Sequence, residues 1–151
     1  SSSVPNTTVR NYAFALEKLK DPSISMVMRG FIDGAKYVKP TIKYVSGLLL
    51  KDSSCNFLSG KCEMLRTGIN IDPLLFAKYK INKVPAVVYV PHVSVVDIDM
   101  SEGHEQNAKV SGEYYTVYGD AALDYLLEVV YKETKSKSVE NVVSILRKGF
   151  Y

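Results

Sequence analysis

Hydrophobic residues repeat along this chain with two periods, and their alternation predicts a protein of mixed helices and strands. Stretches in which apolar residues recur every three or four positions are typical of helices. Short continuous apolar or β-branched runs lie between them and are typical of buried strands. The predicted order is helix, strand, helix, strand, helix, two strands and two helices. We therefore expect parallel pairing where strands alternate with helices and an antiparallel part at the consecutive strands, which makes a mixed sheet.

The first part of the chain predicts a helix, a strand and a second helix. The first helix begins with Thr7 or Thr8 as its cap and ends before Asp21, which precedes a proline. A short apolar run at residues 24–29 predicts a buried strand. The second helix is expected at residues 33–50, with a kink or fresh turn at its internal proline. Its apolar face continues through Ile42, Val45, Leu48 and Leu49.

The second half predicts three strands and three helices. A strand at residues 68–71 precedes Asp72, which caps a helix whose first residue is Pro73. A proline loop leads into a β-branched strand that ends at Val90. The strand at residues 114–118 follows an exposed polar hairpin loop. Its alternation places Tyr114 and Tyr118 on one face, which we expect to be the core side, while the alternative is that these tyrosines and Tyr115 serve an interface. Two amphipathic helices end the chain, the last with Val139, Val142, Val143 and Leu146 in one stripe.

The middle of the chain resembles a thioredoxin. An aspartate ends a strand, a short helix follows, and the sequence INKVPA at residues 81–86 enters the next strand. The resemblance implies a thioredoxin-like α/β fold, with a mixed central sheet flanked by helices and an extra helix at each end of the chain. It divides the chain into an N-terminal segment and helix (1–22), a thioredoxin-like domain (23–132) and a C-terminal helix packed on that domain (133–151). The family's proline is cis, which makes the Val84–Pro85 bond a cis candidate.

A narrower resemblance rests on four motifs in order. These are MVMRGF at residues 26–31, IDPLLF at 71–76, INKVPA at 81–86 and GDAALDYLLE at 119–128. In this order they are similar to the F-type conjugative-transfer pilin assembly family called TrbC. The resemblance implies a periplasmic protein of a type IV secretion apparatus that works in pilus assembly with other periplasmic components such as TraW-like proteins. It implies no catalytic activity and no cofactor. The cysteine loop and the hairpin around His104 depart from the family pattern as we read it.

The place of a thioredoxin's redox motif holds no thiol. That motif lies at the start of the helix after the first central strand, where the helix dipole lowers the pKa of the attacking thiol. Here residues 30–35 contain no cysteine, serine or threonine. Arg29 stands beside this place, where it could hold a partner's carboxylate or pair with Asp33 or Asp72. We expect the apolar residues and cations there to form a partner-binding surface: Arg29, Phe31, Ile32, Lys83, Val84 and Pro85.

Cys55 and Cys62 are seven residues apart, a spacing that fits neither a zinc knuckle nor a redox CxxC pair. One interpretation is a local structural disulfide, which would indicate an oxidising compartment. The other is two unpaired thiols in a cytosolic adaptor. An enzymatic alternative makes the chain a divergent thiol–disulfide oxidoreductase or isomerase that uses these two residues.

Charge and composition remove several further functions. The net charge is +3, with 19 basic and 16 acidic residues dispersed along the chain, so we expect no nucleic-acid binding. The longest apolar run has strand length, and we expect no membrane insertion of the mature chain. The chain opens on serines, which suggests that a signal peptide has been removed. A metal site is disfavoured because the candidate ligands are loosely spaced on a polar loop: Asp97, Asp99, Glu102, His104 and Glu105.

Overall fold

A computed structural model describes residues 3–56, 60–92 and 112–148. These residues form five helices and four strands, which confirms the α/β class. The helices are α1 (Asn6–Leu19), α2 (Val38–Leu49), α3 (Pro73–Lys78), α4 (Leu123–Thr134) and α5 (Lys137–Arg147). The strands are β1 (Met26–Met28), β2 (Ile69–Ile71), β3 (Ala86–Tyr89) and β4 (Tyr115–Tyr118).

The first two helices begin elsewhere than the sequence predicts. Helix α1 follows Pro5, and its first residues include both threonines that we expected to cap it. Helix α2 begins five residues late because Asp33 (φ 58°) and Gly34 (φ 86°) adopt the left-handed conformation, which no right-handed helix contains. Pro40 then lies in the first turn of α2, where the N–H that proline lacks would have no helical partner.

The four strands form two separate pairs. Strands β1 and β2 are parallel, with Met26 opposite Ile69, and β3 and β4 are antiparallel, with Ala86 opposite Tyr118. Both predicted kinds of pairing are therefore present. Over the described ranges no hydrogen-bonded ladder joins the pairs into the single mixed sheet that we expected, since strands of three or four residues offer few ladder bonds. The thioredoxin-like arrangement of the whole stays a prediction.

Two hydrophobic clusters form the core. The first unites α4 and α5 with the β3–β4 pair, and its buried members are Leu127, Val130, Val139, Val143 and Leu146. The second unites α1, α2 and the strand β1 with the segment after the cysteine loop through Ala13, Leu49 and Leu65. Helix α1 contributes to both, because Ala15 and Leu19 pack against the first cluster. The predicted stripe of the last helix is thus confirmed.

Strand β4 turns the opposite face to the core from the one we predicted. Val117 packs against the first cluster, whereas Tyr118 is 42% exposed. Successive side chains of a strand point to opposite sides, so Tyr118 cannot share the face of Val117. The ring of Tyr114, just before the strand, lies edge-on to Tyr79 with 5.2 Å between the ring centres. The expected core position of Tyr118 is therefore wrong.

Candidate partner-binding surface

The loop after β1 presents the first half of the predicted surface. The backbone N–H of Ile32 donates to the hydroxyl of Thr41 at 2.8 Å, and that threonine is buried on α2. The N–H of Gly34 donates to the carbonyl of Phe31 at 3.3 Å. These bonds tie the loop to α2 and leave the ring of Phe31 39% exposed. An apolar ring held in solvent by a fixed backbone is suited to contact with another molecule.

Arg29 is exposed and forms no ion pair in the part of the chain that the structure describes. Asp72, one of its two expected partners, accepts hydrogen bonds from the N–H groups of Leu74 (2.9 Å) and Leu75 (3.1 Å) and caps α3. The pairing of Arg29 with Asp33 or Asp72 is thus absent here. The guanidinium remains available to an acidic group from outside.

The proline loop presents the second half. The Val84–Pro85 bond is cis, and the carbonyl of Pro85 accepts a hydrogen bond from the N–H of Gly119 at 3.2 Å. Val84 is 42% exposed and Lys83 is exposed as well. Neither backbone group of Val84 forms a hydrogen bond with another described residue. The loop therefore offers both a free backbone donor and acceptor and an apolar side chain.

Each half of the surface is held by its own part of the fold. The loop of Arg29, Phe31 and Ile32 follows β1 and is bonded to α2, whereas the proline loop precedes β3 and is bonded to the turn after β4. That the six residues form one continuous face stays a prediction. Tyr118 is exposed and lies opposite Ala86 and next to Gly119. We therefore add it to the second half of the predicted surface.

Sequence reasoning missed an apolar groove of about 240 Å³ between α2 and β2. Val38 and Ile42 line it and are 49% and 55% exposed, although helical spacing had placed Ile42 with the core residues of α2. Phe31 forms part of its wall. The other lining residues are Thr41, Val45, Ser46, Ile69 and Ile71.

The two cysteines lie apart from this surface and are joined to each other. Their Cα atoms are 5.8 Å apart, and the disulfide closes a loop after α2. The base of that loop is held by the N–H of Lys51 to the carbonyl of Glu63 (2.9 Å) and by the N–H of Leu65 to the carbonyl of Leu49 (2.7 Å). The disulfide and these backbone bonds together close the loop, which we call the cysteine hairpin. Neither cysteine stands at the N-terminus of a described helix.

The electrostatics of this hairpin are local. The hydroxyl and the N–H of Ser54 both donate to the carboxylate of Asp52, at 2.7 and 2.9 Å, and these bonds lower the pKa of Asp52. Such a turn orders the backbone that leads into Cys55. With its pKa lowered, the carboxylate stays ionised at neutral pH and has no proton to donate.

Residues 3–56, 60–92 and 112–148 were compared with two further kinds of site, a metal centre and a membrane-spanning helix. No group of three potential ligands gathers there, and no helix there has the length and apolar character to cross a membrane. The acidic hairpin loop with His104, which we weighed as a metal site, falls outside the described residues.

Comparison with known proteins gives one match. The sequence model of TrbC, described as "Type-F conjugative transfer system pilin assembly protein", matches residues 1–130. This range includes α1, which the four motifs do not reach, and ends within α4. Neither the curated proteins nor the solved structures contain a match. The predicted resemblance is confirmed: the chain belongs to the TrbC family of type-F conjugative transfer.

Proposed function

We propose that this protein is a non-catalytic periplasmic assembly factor for the conjugative pilus and that it acts by binding other proteins. Membership of the family indicates a role in pilin assembly, and such a role implies contact with other conjugative transfer proteins. We propose periplasmic pilus-assembly proteins, TraW-like ones among them, as the partners. The disulfide supports this location, because disulfides persist in oxidising compartments.

The observation that carries the proposal is the exposure of Val84 in the proline loop, together with its unpaired backbone groups. Val84 exposes its side chain, and its N–H and carbonyl have no hydrogen-bond partner among the described residues. Extended peptides bind such segments by adding a strand, in which backbone bonds give affinity and side-chain contacts give specificity. Phe31 and the unpaired Arg29 provide apolar and cationic contacts of the kind found at protein interfaces.

The absence of thiols from this surface favours a protein-binding function over thiol–disulfide exchange. Residues 29–35 contain no cysteine, and Cys55 and Cys62 are bonded to each other in a separate hairpin. Thiol exchange requires a thiolate whose pKa is lowered by a helix N-terminus or a neighbouring cation. Lys61 adjoins Cys62, but neither cysteine stands at the N-terminus of a described helix and the two are bonded to each other, which favours a structural role.

The test is a charge placed on the proline loop. We expect Val84→Glu to abolish pilus formation and co-purification with periplasmic pilus proteins, because a carboxylate there cannot be buried against an apolar partner surface. The matched control is Tyr125→Glu, which places the same charge at an exposed aromatic residue on α4. Both variants should melt within about 2 °C of the wild type, because surface substitutions usually change stability by less than about 0.5 kcal/mol.

The proposed surface is wrong if Val84→Glu and Arg29→Glu both leave pilus formation and every such complex intact. A loss that Tyr125→Glu shares would also contradict it, since that loss would reflect charge on the protein and not the proline loop. The proposal is supported if Val84→Glu and Arg29→Glu abolish pilus formation and the complexes while Tyr125→Glu does not.

A further inference from the structure

The groove between α2 and β2 has a cationic rim. Lys39 and Lys43 lie one turn apart on α2, each next to a groove residue, Val38 and Ile42. Residues three or four apart on a helix share one side. The two lysines therefore form a charged row beside the apolar row, and both are exposed.

The charges around the groove are not neutralised by the protein itself. Residues 29–46 hold four basic residues and one acidic residue, Asp33. Lys36 lies over the ring of Tyr37 at 5.6 Å. Within the described ranges none of the four cations forms an ion pair, whereas Arg147 and Lys132, on the opposite cluster, pair with Asp124 and Glu128. The rim thus keeps a positive field that an outside group can meet.

The size of the groove limits what can enter it. A cavity of about 150 Å³ holds one benzene ring, so a groove of 240 Å³ has room for about one or two large apolar side chains. Its walls are one side of α2 and the face of β2 that carries Ile69 and Ile71. This space can take apolar side chains that project from a partner segment.

We infer that this groove binds a segment of another transfer protein in which one or two large apolar side chains are flanked by carboxylates. The apolar side chains fill the space between Ile42 and Ile71, and the carboxylates face Lys39 and Lys43. The inference rests on the proposed function in one respect: the partner is assumed to be a protein of the same conjugative transfer apparatus. The groove shares Phe31 with the first half of the proposed surface, but no residue of the proline loop lines it.

A second copy of the chain is a poorer occupant than an acidic partner. In a twofold dimer the same patch meets itself. Lys39 and Lys43 beside one groove would then lie close to the same two lysines of the other copy, and like charges at an interface cost several kcal/mol. Charge complementarity therefore favours a heterologous acidic segment.

The experiment is site-specific photo-crosslinking in cells that carry the whole transfer apparatus. Ile42 is replaced by p-benzoylphenylalanine, and in a control protein Tyr125, equally exposed at 56%, is replaced instead. We expect an adduct at position 42 and not at 125. Mass spectrometry should locate it in a transfer-protein segment in which Asp and Glu outnumber Lys and Arg. Adding Lys39→Glu and Lys43→Glu should lower the yield at least about tenfold.

The charge control is Lys137→Glu with Lys148→Glu, which reverses two exposed lysines at the ends of α5 and should leave the yield unchanged. The inference is overturned if the yield at 42 does not exceed that at 125. It is overturned equally by an adduct with lipid or with a second copy, by a segment without acidic excess, or by a yield that survives charge reversal at 39 and 43.

The two proposals fail separately. If Val84→Glu abolishes the complexes while position 42 gives no specific adduct, the proposed function stands and the groove inference falls. If position 42 gives the acidic adduct while Val84→Glu has no effect, the groove is the binding site and the proline loop is not.

Discussion

At the scale of single residues, Tyr12 anchors α1 to the turn that precedes α4. Its hydroxyl donates to the carbonyl of Ala121 at 2.7 Å, and Thr8, one turn earlier, donates to the carboxylate of Asp120 at 2.7 Å. Burial and the charge of Asp120 raise the pKa of Tyr12 above its ordinary value of 10.0. Folding therefore favours the neutral phenol.

We expect Tyr12→Phe to lower the free energy of unfolding at pH 7 by about 1 kcal/mol, since a partly buried carbonyl loses its donor. The raised pKa adds a pH dependence. The stabilisation is complete below about pH 10 and is lost as the pH rises through the folded-state pKa. Urea unfolding from pH 7 to 11 should show the difference between wild type and variant shrinking above pH 10.

The control is Tyr125→Phe, at an exposed tyrosine on α4, which should change the free energy of unfolding by less than about 0.5 kcal/mol. A wild-type advantage over Tyr12→Phe that stays constant up to pH 11 would show that Tyr12 does not titrate with a raised pKa in the folded protein.

At the scale of elements, sequence patterns predicted those helices whose apolar stripe has a partner. The stripe of α5 meets α4, and Asp72 with Pro73 starts α3 as local capping chemistry requires. Helix α2 shows why the rest could not be predicted. Its stripe is continuous in sequence, yet Leu48 and Thr41 are buried and Ile42 is exposed, because the neighbouring elements cover one side of the N-terminal half and leave the side of Ile42 open. Periodicity reports an apolar face but not what covers it.

The same limit applies to the candidate site. The residue types around Arg29 and Pro85 could be read from the sequence, because the resemblance located them. The groove could not, since the sequence does not show which residues of α2 its neighbours leave uncovered.

The cysteine hairpin gives the prediction at this scale. We expect the double variant Cys55→Ser, Cys62→Ser to lose roughly 2–3 kcal/mol of unfolding free energy, because the eight-residue loop is no longer closed in the unfolded chain. Urea unfolding measures this loss. Pilus formation should persist at low temperature, since the hydrogen bonds of Lys51 and Leu65 still hold the base of the loop.

An insulin-reduction assay on the wild type tests the enzymatic alternative with the same variant as control. We expect no activity from either protein. Activity in the wild type that disappears in the double variant would contradict a purely structural disulfide and would establish a thiol–disulfide oxidoreductase.

At the scale of the whole molecule, α1 joins parts of the chain that the sequence resemblance separates. It shares Ala13 with one cluster and Ala15 and Leu19 with the other, and the amine of Lys18 donates to the carbonyl of Leu146 at 2.9 Å. Arg10 donates to the carbonyls of Gly47 and Leu48 at the end of α2. Helix α1 and the last helix, α5, therefore contact each other, and each also packs on elements that lie between them in the chain.

Because α1 packs against both clusters, its detachment would expose both of them. We therefore expect one cooperative unfolding transition. Leu49→Ala and Leu146→Ala, each in a different cluster, should both lower the free energy of unfolding by about 2–5 kcal/mol and move the whole transition. Asn141→Ala, exposed on α5, is the control and should change little. Calorimetry should give equal calorimetric and van't Hoff enthalpies. Two transitions, of which Leu146→Ala moves only one, would instead show that the C-terminal helices form a unit separate from the rest.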